Sequence, residues 1–110
     1  MNANSVRHIS KKDENLLNDL QTLLEKQIEL AHKGDIKGVE SLSKQANSLV
    51  EKCVQSRILE QADLKIKGEK LQKLYEQLSL ALSAQRADIS EQLSRIRKGR
   101  KTLHVYRRGI

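Results

Sequence analysis

The strongest constraint on the fold is the spacing of apolar residues between Lys70 and Arg108. Leucine or isoleucine recurs there at intervals of three, four or seven residues, which places the side chains on one face of an α-helix. These residues are Leu71, Leu74, Leu78, Leu82, Ile89, Leu93 and Ile96. No glycine or proline interrupts the sequence from Leu71 to Lys98. The pattern predicts one helix over residues 69–98, roughly 40 Å long, which needs antiparallel partners to bury its apolar face.

The N-terminal third predicts a first helix over residues 10–33. Ser10 is suited to the N-cap, and Asp13 lies three residues later in the position of a capping box. Leucine and isoleucine then follow at helical spacing. Gly34 can adopt the left-handed conformation that ends a helix, and Asp35 can cap the helix that comes next. The short connection predicts that the first two helices form an antiparallel hairpin.

The second helix is predicted over residues 35–66, and its C-terminal end is the most open question. One alternative is a break near Gln55 and Ser56. The other is continuation through Ile58, Ala62 and Ile66 to a break at Gly68, the only glycine between Gly38 and Gly99. No residue from 55 to 57 is a strong helix breaker, so the later break is preferred.

These elements predict an all-α fold, an elongated antiparallel three-helix bundle in which a helical hairpin packs against a long C-terminal helix. Residues 1–110 are expected to form a single domain, with a disordered arm predicted at 1–9 and a basic tail predicted at 99–110. The chain has no phenylalanine or tryptophan and only two tyrosines. Aliphatic residues therefore supply nearly all of the core, and so small a core favours a homodimer.

The 110-residue chain has a net charge of +7, and the excess is concentrated near its C-terminus. All fourteen acidic residues lie at or before Glu91. Seven basic residues and no acidic residue follow: Arg95, Arg97, Lys98, Arg100, Lys101, Arg107 and Arg108. Such a segment is typical either of a solvated helix end or of a surface for an anionic partner.

The sequence contains no pattern typical of an enzyme. Cys53 lies on the apolar face of the second helix, which indicates a buried and unreactive thiol. His8, His32 and His104 are too far apart for metal-ligand spacing, and there is no glycine-rich phosphate loop. We therefore expect no catalytic residue, metal or cofactor. The absence of a signal-peptide pattern and of a long apolar run predicts a cytoplasmic protein without a membrane span.

Two segments resemble bacterial flagellar export chaperones of the FlgN and FliT type. Residues 16–53, LLNDLQTLLEKQIELAHKGDIKGVESLSKQANSLVEKC, are similar to the first helical hairpin of that family, including its short Gly-Asp turn at Gly34 and Asp35. Residues 91–107, EQLSRIRKGRKTLHVYR, resemble the basic C-terminal end of FliT-like proteins. The resemblance implies a non-enzymatic chaperone that binds the C-terminal helical segment of a flagellar axial protein, a hook-junction or filament-cap protein, before type III export.

Combining the resemblance with the apolar face gives a candidate partner-binding site. The client helix is expected to lie along Leu82, Ile89, Leu93 and Ile96. At the end of that groove, five basic residues are expected to steer acidic groups of the client: Arg95, Arg97, Lys98, Arg100 and Lys101. The alternative is a basic helical module that binds nucleic acid or another acidic partner through its C-terminal tail. Phosphate binding falls steeply with salt, whereas helix-in-groove binding does not.

Overall fold

The computed structural model describes residues 11–57, 64–85 and 89–108. Four helices occupy these ranges: α1 (Lys11–His32), α2 (Ile36–Gln55), α3 (Lys65–Ser83) and α4 (Ser90–Arg108). No β-strand occurs among the described residues, which confirms the predicted all-α class. The prediction of three helices is wrong, because the long third helix is in fact two helices.

The connection between α1 and α2 forms as the sequence predicts. Gly34 has a φ of 78°, and its N–H donates to the carbonyl of Ala31 at 3.0 Å. The N–H of Asp35 donates to the carbonyl of Leu30 at 2.9 Å, which completes a Schellman motif. The Asp35 side chain then accepts from the N–H of Gly38 at 2.9 Å and caps α2. The predicted N-cap at residue 10 lies outside the described residues.

Helix α2 ends at Gln55 rather than continuing to residue 66, so the preferred alternative is wrong. Arg57 adopts the left-handed region, with a φ of 57°, and stops the helix. Arginine has no preference for that conformation, so the local sequence carries no signal for the stop. Gly68, the predicted break, lies inside α3 and is buried. The predicted continuation through Ile58 and Ala62 lies outside the described residues.

The predicted helix over 69–98 is interrupted between Ser83 and Ser90. A straight helix would extend far beyond the α1–α2 hairpin, whose helices are only 22 and 20 residues long. By folding back, the chain packs both halves of the apolar face against the hairpin. The side-chain amide of Gln85 donates to the carbonyl of Ala31 at 2.8 Å and ties the end of α3 to the end of α1.

The predicted basic tail is part of a helix. Helix α4 continues through Gly99 to Arg108, and Leu103 is fully buried seven residues after Ile96. Apolar residues at this spacing attach the C-terminal half of α4 to the core, which is why the segment from residue 99 to 108 is helical.

The four helices pack as a bundle of two hairpins. Helix α1 packs against α2 and α3, and α4 packs against the same two helices, so α1 and α4 occupy opposite corners. The ion pair of Lys67 with Glu14, at 3.7 Å, joins the starts of α3 and α1, which therefore run parallel. The ion pair of Arg95 with Glu40 joins the starts of α4 and α2 in the same way.

The core runs the length of the bundle and is built mainly from aliphatic side chains. It comprises Leu17, Leu20, Leu24, Ala31, Val39, Ala46, Val50, Cys53, Leu64, Leu71, Leu74, Tyr75, Leu78, Ala81, Leu82, Ile89, Ile96 and Leu103. The buried amide of Gln27 donates to the carbonyl of Val39 at 2.8 Å and to Oγ of Ser43 at 3.0 Å, joining α1 to α2. Since the apolar faces pair within one chain, they give no reason for the predicted homodimer, which stays a prediction.

Candidate partner-binding site on helix α4

The apolar residues predicted to bind a client helix belong to the core. Leu82 is 0% exposed, Ile96 is 2% exposed and Ile89 is 8% exposed. Leu93 is partly buried and packs against the same core. These four side chains form no open groove, because the fold-back between α3 and α4 covers them with the other helices. The described chain thus has no exposed groove along this face, and client binding there stays a prediction.

The predicted basic residues lie on α4, and four of them are exposed, of which only Arg100 has an ion-pair partner among the described residues. Arg97, Lys98 and Lys101 are exposed, as are Ser94 and Val105 at compatible helical spacing. Within the described ranges, no carboxylate lies within ion-pair distance of these three cations. We call Arg97, Lys98 and Lys101 the basic ridge.

Arg95 is not part of this ridge. Its guanidinium contacts the carboxylates of Glu40, at 3.1 Å, and Glu91, at 2.6 Å. The side-chain amide of Gln92 donates to the second oxygen of Glu40 at 3.4 Å. Glu91 is the only acidic residue of α4, and its carboxylate is paired with Arg95. Arg95 therefore serves to hold α4 against α2, and its charge is already compensated.

Arg100 is the fifth predicted cation, and it lies beside a cleft between α3 and α4. Its Nη2 atom is 3.4 Å from a carboxylate oxygen of Glu76 on α3. The cleft has a volume of about 560 Å³, and two residues of α3 and four of α4 line it: Gln72, Glu76, Arg97, Arg100, Lys101 and His104. We call this the α3–α4 cleft.

A second cleft lies on the other side of α4, against α2. It has a volume of about 350 Å³ and is lined by Lys44, Asn47, Ser48, Glu51, Arg95 and Lys98. The basic ridge thus separates two polar clefts. A larger groove of about 580 Å³ lies between α1 and α2, where the partly buried Leu23 and Leu49 contribute its apolar part.

Charge is distributed unequally over the bundle. Helix α4 carries seven basic residues and one acidic residue, whereas α1 carries five acidic and three basic residues. Because these helices occupy opposite corners, the positive face is turned away from the acidic one. An anionic partner therefore meets the most favourable potential at α4.

The remaining candidate residues supply no reactive site in the described part of the chain. Cys53 is 0% exposed, as predicted, and burial raises the pKa of its thiol to about 11. No group of three or more described His, Cys, Asp or Glu residues is placed to hold a metal ion. His32 and His104 lie on different helices, and His8 is not among the described residues.

Three residues of the α3–α4 cleft are absent from the predicted site: Gln72, Glu76 and His104. His104 follows Arg97 by seven residues and Lys101 by three, so its position would have been evident had α4 been predicted beyond residue 98. Gln72 is 9% exposed and lies on α3. Its presence in the cleft depends on the fold-back, which no local sequence signal indicates.

No family model, curated protein or solved structure matches the chain. Among the described helices, none combines the length and the apolar character that a membrane span requires. The site must therefore be interpreted from its own geometry and charge.

Proposed function

We propose that this chain is a non-enzymatic chaperone or adaptor that binds an acidic segment of a partner protein through the basic ridge of α4. The observation that carries the proposal is that Arg97, Lys98 and Lys101 project from a well-packed helix without a carboxylate partner in the described ranges. Neighbouring cations repel one another, and an acidic partner relieves that repulsion.

The resemblance of residues 16–53 and 91–107 to flagellar export chaperones suggests the client. It is the C-terminal helical segment of a hook-junction or filament-cap protein, held before export. The contact surface differs from the one expected from the sequence. The client lies over the exposed ridge and its flanking clefts, rather than along the apolar residues that the protein uses for its own core.

The strength of such binding depends on more than the ridge. An exposed ion pair contributes about 0.2–1 kcal/mol, so three such pairs give micromolar affinity only together with contacts in the clefts. Charged groups at the edge of an interface act chiefly on the association rate and on its salt dependence. We therefore expect the ridge to determine how fast the client binds and the clefts to determine how long it stays.

Nucleic acid is the competing partner for a basic helix. Proteins that bind single strands without sequence preference stack bases on aromatic side chains. Helix α4 contains a single aromatic residue, Tyr106, and the other tyrosine of the chain, Tyr75, is 0% exposed. This composition favours an acidic protein segment over nucleic acid.

The experiment is a calorimetric titration of the full chain with synthetic C-terminal peptides of the host's junction and cap proteins at about 50 and 300 mM salt. Replacing Arg97, Lys98 and Lys101 together by Ala should weaken binding about tenfold or more at low salt, because three favourable charge contacts are lost. Replacing the exposed Lys11, Lys12 and Lys26 of α1 together by Ala removes the same number of charges and should leave binding unchanged.

Two results would contradict the proposal. Equal loss in the α1 variant would show that net charge, not the ridge, controls binding. Binding of duplex DNA with a steep salt slope, together with no binding of any axial-protein peptide, would replace the client by nucleic acid.

A further inference from the structure

The α3–α4 cleft is lined by more cationic side chains than acidic ones, and its one carboxylate belongs to Glu76 of the same chain. Arg97, Arg100 and Lys101 carry three permanent positive charges along one wall, and Glu76 is the one acidic residue that lines the cleft. Glu76 contacts Arg100 through a single atom pair at 3.4 Å. A guanidinium can hold a carboxylate through two parallel N–H donors at about 2.8 Å, so this contact uses only part of what Arg100 offers.

Gln72 adds a second, independent observation. Gln72 is 9% exposed and lines the same cleft, and its buried Nε2 has no hydrogen-bond acceptor among the residues that the structure describes. A buried N–H group without an acceptor is unfavourable and uncommon in native proteins. The wall of the cleft therefore contains an amide N–H group of Gln72 that has no acceptor. It lies beside the cations of α4, whose own N–H donors are only partly used.

We infer that the α3–α4 cleft is a carboxylate-binding site, in which an Asp or Glu side chain of the partner takes the place of Glu76 on Arg100 and accepts a hydrogen bond from Gln72. This inference rests on the proposed function and names the chemical group that the α4 surface recognises. The exchange of carboxylates is undemanding, because the Glu76 side chain is 54% exposed and can turn into solvent. Lys101 and Arg97 compensate the second negative charge.

The assignment gives Glu76 a competing role that can be tested by gain of affinity. The probe is fluorescein-labelled hexaglutamate, titrated by fluorescence anisotropy at low salt. Glu76→Gln should bind it about threefold to fivefold more tightly, the size expected for one surface charge contact. Glu25→Gln is the matched control, since it makes the same change of charge on an exposed position of α1, at the opposite corner of the bundle from α4.

The NMR signal of the Gln72 amide reports a direct contact, because non-specific attraction between charges does not change it. In ¹H–¹⁵N spectra, the Nε2 resonances of Gln72 should shift on addition of hexaglutamate, while those of Gln45 in the α1–α2 groove should not. Gln72→Met removes the donor without changing charge or side-chain length. That variant should bind hexaglutamate several-fold more weakly and should be no less stable than the parent, because an unpaired buried amide is removed.

Each result decides the matter. Equal strengthening by Glu76→Gln and Glu25→Gln, or an unchanged Gln72 signal at saturation, would overturn the carboxylate site and mean that the basic ridge attracts anions without a specific contact. A Gln72 shift caused by inorganic phosphate or a DNA oligonucleotide but not by hexaglutamate would overturn it in favour of phosphate. If hexaglutamate behaves as expected and no axial-protein peptide binds, the cleft stands and the proposed client fails.

Discussion

The close packing of α4 is tested by giving Gly99 a side chain. Gly99 lies in the middle of α4 and is buried. A Cβ atom at this position would lie 2.8 Å from Oδ1 of Asn47, 2.9 Å from Oη of Tyr75 and 3.2 Å from Cε1 of the same ring. The Asn47 amide can rotate, since it is only half-buried, but the Tyr75 ring is 0% exposed and packs within the core.

Two opposing effects determine the result of Gly99→Ala. Alanine is favoured over glycine inside a helix by about 1 kcal/mol. Overpacking a rigid core costs about 1–3 kcal/mol, and contacts below 3 Å belong in the upper part of that range. We expect a net loss of about 1–2 kcal/mol in the free energy of unfolding, measured by urea denaturation. Ser94→Ala, on the exposed face of the same helix, should instead gain a few tenths of a kcal/mol.

Tyr75→Phe identifies the origin of that loss. The hydroxyl of Tyr75 is buried and has no hydrogen-bond partner in the described part of the chain, so its removal should leave stability unchanged or raise it by about 1 kcal/mol. In the Tyr75→Phe background, one of the two contacts below 3 Å is gone, and Gly99→Ala should cost about half as much. A Gly99→Ala protein that is more stable than the parent, or a cost independent of the side chain at position 75, would refute the packing argument.

Two further outcomes follow from burial. Leu78→Ala should lower the free energy of unfolding by about 2–5 kcal/mol, because Leu78 is 0% exposed. Glu76→Ala should change it by less than about 1 kcal/mol, because its side chain is exposed. Equal losses in urea denaturation would mean that the buried face of α3 is wrongly assigned. The pKa of Cys53 is raised by burial from 9.0 to about 11, so its contribution to stability is complete below pH 9 and declines as the pH rises towards 11. At pH 10.5 this decline should amount to about 2 kcal/mol, and a Cys53→Ala protein that loses stability just as steeply would contradict it.

The turn between α1 and α2 could be predicted because its determinants are local. A glycine that ends one helix and an aspartate that caps the next are adjacent in the sequence, and each acts on backbone groups within five residues of itself. The apolar spacing likewise predicts the buried residues of α3 and α4 correctly, since Leu71, Leu78 and Ile96 are all in the core. Local chemistry therefore determines the helices and their inner faces.

The two breaks could not be predicted because they depend on length rather than on composition. Leu82 and Ile89 are seven residues apart, an interval that suits one continuous helix as well as two. The fold-back is favoured only because the hairpin is too short to cover a longer helix. Arg57 stops α2 in a conformation that arginine does not prefer, so the tertiary structure, not the residue, selects it.

The basic part of the site could be predicted, but its architecture could not. The charge run from Arg95 onward is evident in the sequence, whereas the engagement of Arg95 by Glu40 needs a contact across 55 positions. Gln72 and Arg100 line the same cleft only because the chain folds back between α3 and α4. Sequence alone thus indicates a positive surface, and the fold determines which of its cations are available.

The packed state of α4 gives a final prediction about how a partner is bound. If the basic segment were a tail, ordering it on binding would cost about 1–2 kcal/mol for each residue fixed. Here Leu103 is 0% exposed and holds the segment in the helix before any partner binds. The entropy of ordering the segment is therefore lost when the chain folds, not when it binds. Far-ultraviolet circular dichroism should therefore show no gain of helix in this chain when hexaglutamate binds. Leu103→Ala should loosen the last turns of α4 and weaken binding although it alters no charge, and a large rise in helicity on binding to the unaltered protein would show that the ridge is not preformed.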